Sequence, residues 1–122
     1  RMRLADDFYF LESLEYERGV FSAEVSINPN HRIYEGHFPA GAVVPGVCTL
    51  TVIRECLSKA MGREIAFAAI KECKFVSALI PEKDLRIRMD FTITDSGQLK
   101  GLVTTPGPEG EQIVIKLKAS LS

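Results

Sequence analysis

A stretch rich in glycine and proline, residues 34–55, contains the side chains best suited to chemistry. It reads YEGHFPAGAVVPGVCTLTVIRE, with His37 in its first part and Gly46 where a helical pattern begins. Its prolines and glycines cannot lie inside a helix or strand, so we expect a stiff loop. Imidazole is a base near neutral pH. A helix start offers unpaired N–H groups and a positive dipole end that attract an oxyanion. The stretch therefore predicts a general base close to an anion-stabilising helix start.

The helix that follows is predicted over residues 46–62. At helical period, its apolar residues cover a little over half of the circumference. Thr51 and Glu55 fall on the remaining polar stripe, one helical turn apart. Such a wide apolar arc predicts a helix that is covered on more than one side.

The remaining segments favour strands and turns. Alternating apolar residues and turn signals predict an α+β fold, a curved antiparallel sheet wrapped around one central helix, forming a single domain over residues 1–122. The exposed edges of such a sheet, and a helix only partly covered, predict a homodimer. A short helical turn is predicted at 31–34, a bend near Lys71 and a loop at 106–110. The predicted strands are 8–16, 20–27, 64–79, 85–94, 99–105 and 113–121.

The composition excludes several classes of protein. A net charge of −1 over 122 residues argues against a nucleic-acid-binding surface. No apolar run approaches the roughly 18 residues that span a bilayer. The spacing of Cys48, Cys56 and Cys73 matches no metal site, so we predict no bound metal. We interpret these cysteines as reduced core thiols of a cytoplasmic protein.

The loop and helix start together carry a resemblance to a known family. Gly36-His37-Phe38-Pro39, followed by Val44-Pro45-Gly46-Val47, closely resembles the signature of the hot-dog-fold 3-hydroxyacyl-acyl-carrier-protein dehydratases. That signature, G-H-F-P-G-x-P-x-x-P-G, leads into the central helix of the hot-dog fold. Residues 71–85 look like the strand, proline turn and strand that follow the helix in this family. The resemblance implies a dimer with sites at the interface, no cofactor, and a partner acyl carrier protein bearing a 3-hydroxyacyl phosphopantetheine thioester.

Two departures from the family pattern affect the predicted chemistry. Ala40 and Ala42 replace a glycine and a proline of the signature and remove no reacting group. The family's acidic residue, however, lies fourteen positions after the histidine, and here that position is Thr51. The nearest carboxylate is Glu55, one helical turn further on. A neutral threonine cannot supply a proton at neutral pH, so Glu55 is the predicted substitute acid.

The implied reaction is elimination of water from a 3-hydroxyacyl thioester. His37 would remove the proton next to the thioester carbonyl, and the Gly46 N–H would stabilise the enolate oxygen. Thr51 would orient the leaving hydroxyl, and Glu55 from the partner's helix would protonate it. The resemblance further implies substrate contacts from residues of the loop and helix start. These are Phe38, Pro39, Val44, Pro45 and Val47.

Alternatives remain for the function and for single residues. The same loop and helix could serve a hot-dog acyl thioesterase, in which water attacks the thioester. A non-catalytic acyl-binding subunit that lost its acid is the third candidate. Glu55 could be part of a solvated helix stripe, and His31 a loop residue without a role. Exposed basic residues on the predicted strands could dock an acidic carrier protein or simply face solvent. These are Lys71, Lys74, Arg86 and Arg88.

Overall fold

The computed structural model describes residues 3–35 and 42–122 of the chain. Its described strands form one six-stranded antiparallel sheet in the order β1-β2-β4-β5-β6-β3, so β1 and β3 are the two edges. Among these residues, one α-helix, α1, lies between β2 and β3 along the chain, and a short 3₁₀ turn precedes it. The elements are β1 Tyr9–Glu17, β2 Val20–Ile27, the 3₁₀ turn Arg32–Tyr34, α1 Gly46–Met61, β3 Phe67–Phe75, β4 Arg86–Ile93, β5 Gln98–Gly107 and β6 Gly110–Leu121.

The sheet wraps around α1 because one face of each central strand is apolar. Alternate residues of β2 and β4 are buried, as the period-two pattern predicts. On α1, Val52, Ile53 and Leu57 are fully buried against this concave face. Gly101 permits close approach of β4 and β5, because a side chain there would collide with the backbone of Asp90 and Phe91. The predicted hot-dog architecture, a curved antiparallel sheet around one central helix, is confirmed.

The helix and strand β2 match the predicted bounds closely, whereas other elements differ. The predicted strand 64–79 is shorter, Phe67–Phe75, and its pairing with β6 shifts between Ile70 and Glu72, at the predicted bend. The predicted loop 106–110 is shorter and consists of the turn 108–109. There β5 and β6 continue to a tight turn, and Pro106 pairs with Glu111. Proline is tolerated within this strand although it cannot donate to the ladder.

His31 has a structural role that the sequence interpretation did not give it. The side chain is buried, and its Nδ1 accepts a hydrogen bond of 3.1 Å from the Ile33 N–H, which caps the 3₁₀ turn. Because Nδ1 accepts, Nε2 carries the proton and donates to Asp7 Oδ2 at 3.2 Å. The ring also packs edge-on against Phe8. His31 therefore fastens the turn before the glycine- and proline-rich loop to the N-terminal segment.

Candidate functional site

Helix α1 begins with backbone donors that have no partner among residues 3–35 and 42–122. Its N-cap is Pro45, which provides no side-chain hydrogen bond, and the Pro45 carbonyl accepts from Cys48 and Thr49 N–H at 3.0 and 3.2 Å. The N–H groups of Gly46 and Val47 precede these bonds and have no intrahelical partner. They point out of the helix start, where the dipole is positive. This geometry can hold an oxyanion, as the sequence predicted for Gly46.

An apolar cavity of about 430 Å³ adjoins the helix start. Gly46 and Val44 form part of its wall on the helix side, and Phe75 lies on the strand side. A Cβ on residue 46 would lie 2.7 Å from the Phe75 ring, so only glycine lets the ring close over this position. Valine, leucine and isoleucine side chains line most of the rest. Such walls accept a hydrocarbon chain, while the Gly46 N–H supplies a polar contact.

The predicted substrate-contacting residues within the described part of the chain differ from one another in burial. Val44 is buried, with its N–H bonded to Leu79 O at 2.9 Å, and Pro45 is half-buried. Val47 is 65% exposed and lies outside the apolar core. The predicted base His37, with Phe38 and Pro39, falls outside the described residues. Their assigned roles remain predictions.

Thr51 cannot act as a free proton donor in this arrangement. Its Oγ1 donates to the Val47 carbonyl at 3.0 Å, one helical turn back. The hydroxyl proton is therefore engaged within the helix, and only the oxygen lone pairs remain for an incoming group. Thr51 can accept a hydrogen bond from a leaving hydroxyl or a water.

Glu55 anchors the N-terminal segment of the chain to the middle of α1. Its carboxylate accepts hydrogen bonds from Leu4 N–H at 2.8 Å, Ala5 N–H at 2.9 Å and the Tyr9 hydroxyl at 3.0 Å. Arg54 Nη2 lies 3.8 Å away, and the Glu55 side chain is only 9% exposed. The alternative of a solvated stripe residue is therefore wrong for Glu55. These partners were not predictable because the contacts span about fifty residues of sequence.

Glu55 and the helix start face different cavities in the described part of the chain. Glu55 lies with Arg3, Tyr9 and Lys59 on a cavity of about 580 Å³, and Gly46 is not among the residues lining it. Burial, with the nearby Cys56 and Glu55, raises the pKa of Tyr9 far above its usual range. Tyr9 therefore stays protonated and remains a donor to Glu55. Within one chain, the structure does not bring Glu55 to Gly46.

The cysteines and Tyr34 are neutral groups in the described structure. Burial raises the pKa of the Cys56 thiol to about 11 and also raises that of Cys48 and Cys73. None of the three is therefore a ready thiolate nucleophile. Tyr34, a residue that sequence reasoning did not single out, has a buried hydroxyl without a partner among the described residues. Burial, and then the nearby Cys48, raises its pKa to about 12.

The described residues contain no group of three or more His, Cys, Asp or Glu side chains able to hold a metal ion. Within residues 3–35 and 42–122, no helix has the length and apolar character needed to cross a membrane.

A curved sheet around one helix, with an open helix start beside an apolar cavity, defines a hot-dog protein. The model of the ApeI-like family, described as ApeI dehydratase, matches residues 13–100, and the chain belongs to this family. The resemblance to hot-dog dehydratases is thereby confirmed.

Curated relatives include the 3-hydroxyacyl-[acyl-carrier-protein] dehydratases FabZ of Bacillus thuringiensis (strain Al Hakam) and Bacillus cereus (strain B4264). Each is 28% identical over 104 residues, covering 77% of this chain and 72% of the relative. Both carry the dehydratase name implied by the loop motif.

Solved structures share the fold at low sequence identity. The dehydratase heterocomplex ApeI:P from Xenorhabdus doucetiae matches with a TM-score of 0.74 and 17% identity over 92% of this chain and 96% of that one. An uncharacterized protein from Erwinia carotovora subsp. atroseptica gives 0.70 and 18%, over 93% and 92%. The dehydratase domain from the CurF module of Curacin polyketide synthase gives 0.62 and 13%, over 93% and 41%.

Proposed function

We propose that this chain is a dehydratase that eliminates water from 3-hydroxyacyl thioesters carried by an acyl carrier protein. The observation that carries the proposal is the open helix start at Gly46, beside an apolar cavity, in a chain of the ApeI-like family. The relatives named FabZ act on acyl-carrier-protein substrates according to their names, which supports the same class of substrate here.

The proposed reaction uses two elements of this chain directly. His37 takes the proton from the carbon next to the thioester carbonyl, and the electron pair forms the new double bond as the hydroxyl leaves from the next carbon. Charge that develops on the carbonyl oxygen is stabilised by the Gly46 N–H. The leaving hydroxyl takes a proton and departs as water. The acyl chain extends into the apolar cavity beside Phe75.

Two carboxylates are candidates for the proton donor. Glu55, from a second subunit, is the substitute acid that the sequence favours. The Glu55 carboxylate, however, already accepts three hydrogen bonds from the N-terminal segment. This engagement favours a second candidate, a carboxylate from a different partner chain. The ApeI:P structure from Xenorhabdus doucetiae is a heterocomplex, which supports this second arrangement.

The proposed dimer uses the edge strand β3 and the helix start. A cluster of exposed apolar side chains surrounds them, and a second copy would cover it while pairing the free edge of β3. Its members are Val43, Val47, Phe75, Val76 and Ile80. Light scattering should therefore give the mass of a dimer at micromolar concentration. A stable monomer would contradict the shared-site proposal.

The reaction products distinguish a dehydratase from a thioesterase and from an acyl-binding subunit. Purified protein should convert a carrier-bound 3-hydroxyacyl thioester to the enoyl thioester and leave a plain acyl thioester intact. Release of free carrier thiol from the plain thioester would instead identify a thioesterase. Binding of both without conversion would identify an acyl-binding subunit.

Replacing Gly46 with alanine should disturb the site without unfolding the helix. The exposed Phe75 ring can move aside, and alanine is the better helix former, so the free energy of unfolding should change little. The added methyl displaces the Phe75 ring, however, and narrows access to the Gly46 N–H. We expect kcat/KM for dehydration to fall by about 10–10²-fold. A shorter side chain, Phe75→Leu, in the same variant should restore part of the rate. Full activity of Gly46→Ala would show that substrate does not approach there.

The three cysteines also bear on location. They are free in the structure, with Cys48 and Cys56 buried and Cys73 partly buried. Free thiols suit a reducing compartment, and we propose a cytoplasmic location.

A further inference from the structure

The convex face of the sheet, opposite α1, carries a concentration of lysines on β5, β6 and β3. We call this surface the lysine face. Its five members, all with exposed side chains, are Lys71, Lys74, Lys100, Lys116 and Lys118.

Strand register places four of these lysines opposite one another in two pairs. Lys100 on β5 is directly opposite Lys118 on β6, and Lys116 on β6 is directly opposite Lys74 on β3. Directly opposed residues share a face with close Cβ atoms, so like charges there are destabilising. On β5, β6 and β3 the acidic residue in these rows is Glu72, which is opposite Lys118 and 3.7 Å from Lys74. One strand further on, Asp90 of β4 is opposite Leu102, which separates it from Lys116. The lysine face as defined thus has five positive charges and, on the same three strands, Glu72 as the neighbouring negative charge.

Of these five lysines, only Lys74 has an ion-pair partner among the described residues. Among the residues that the structure describes, Lys100, Lys116 and Lys118 make neither an ion pair nor a side-chain hydrogen bond. Lys71 bonds to the neutral amide of Gln98. Within the described residues, Glu72 therefore compensates only part of the repulsion among these lysines.

The other half of the same face shows the contrasting arrangement. Arg86 Nη2 and Nη1 lie 3.8 and 3.3 Å from the carboxylates of Glu12 and Glu24. Arg88 Nε is 2.9 Å from Asp90. Of the four basic residues considered for carrier docking from sequence, the two arginines are thus satisfied internally. The two lysines belong to the unneutralised surface.

We propose that the lysine face is the docking surface for the acidic carrier protein that presents the acyl thioester. The proposal rests on the proposed dehydratase function. Charge complementarity selects an acidic protein surface, which would steer the encounter and relieve the lysine repulsion. A second copy of this chain cannot occupy the face symmetrically, because its own lysines would be repelled. A nucleic acid is disfavoured by the net charge of −1 and by the lack of aromatic side chains among the lysines.

The lysine face borders the proposed site at Lys74. Lys74 is adjacent in sequence to Phe75, whose side chain points to the opposite, concave face. The Phe75 ring closes over Gly46. A carrier docked on the lysines would thus lie at the end of β3 that borders the helix-start cavity.

The test compares one acyl group on two carriers. In the triple variant Lys100→Gln, Lys116→Gln and Lys118→Gln, kcat/KM for the carrier-protein thioester should fall by about tenfold or more at low salt. The same acyl group on pantetheine alone should react at the wild-type rate. The salt dependence of the carrier reaction should flatten. The melting temperature should hold or rise, since like-charge pairs are removed. Arg86→Gln on the same face is the matched control and should leave the carrier reaction unchanged.

Three results would overturn the docking proposal. An unchanged carrier reaction in the triple variant shows that the lysines do not dock. An equal loss with both substrates shows an effect on the site. If the wild-type protein converts neither substrate, the proposed function is wrong, but docking can still be tested by fluorescence anisotropy with the carrier protein. The third overturning result is that the triple variant binds the carrier protein with the wild-type affinity.

Discussion

Replacing His37 with alanine is expected to lower the dehydration rate by about 10²–10⁴-fold. The residue is the proposed base, and no other histidine can replace it, since the only other one is His31. His31 is buried, and both of its ring nitrogens are engaged, with Ile33 and Asp7. The measurement is steady-state turnover of a 3-hydroxyacyl thioester, alongside thermal unfolding to establish that the variant is folded.

His31→Gln is the histidine control for this experiment. Loss of the ring removes the cap of the 3₁₀ turn and the contact with Phe8, so the melting temperature should fall. The pH dependence of the rate should keep its shape, because the base is untouched. A folded His37→Ala variant with the wild-type rate would place the base elsewhere in the chain.

Glu55→Gln is expected to lower the dehydration rate by about tenfold or more, and to lower stability as well. The rate falls if Glu55 is the acid, because an amide cannot supply a proton at neutral pH. Stability falls because the wild-type carboxylate accepts from Leu4, Ala5 and Tyr9 with both of its oxygens, and glutamine keeps only one of these acceptors. A buried donor left without an acceptor costs about 1–3 kcal/mol. Thr51→Glu in the same variant should restore part of the rate.

Tyr9→Phe separates the two roles of Glu55. It removes one hydrogen bond to the carboxylate and leaves the proton-donating group in place. With Glu55 as the acid, Tyr9→Phe should lose about 1 kcal/mol of stability while keeping its rate. If Glu55→Gln and Tyr9→Phe lose activity in proportion to stability, Glu55 is an anchor and the acid comes from another chain. An inactive wild type that gains activity from Thr51→Glu alone would indicate a scaffold that has lost its acid.

Much of the fold followed from local sequence patterns. Alternation in β2 and β4 gave strands whose apolar face is the concave one, and the change of period at Gly46 gave the helix start. Local sequence patterns did not predict strand ends that are determined by pairing with another strand. Pro106 signals a loop, yet it pairs with Glu111 because the β5–β6 ladder runs to a tight turn.

The candidate site was predictable only in part. Gly46 was found because glycine at a helix start is a local signal, and the structure adds Phe75 as the group that requires it. The partners of Glu55 come from the N-terminal segment, far away in sequence, where no periodicity indicates a contact. The lysine pairs likewise depend on strand register, which single-strand patterns do not specify.

The most direct test of the central claim is turnover by the purified wild-type chain. Carrier-bound 3-hydroxyacyl thioester should be converted to the conjugated enoyl thioester, followed by its ultraviolet absorbance and by a mass loss of one water. The chain alone should catalyse this if its own dimer completes the site. Absence of enoyl product, with folded dimer and intact substrate, would contradict the proposal that this chain by itself is a dehydratase.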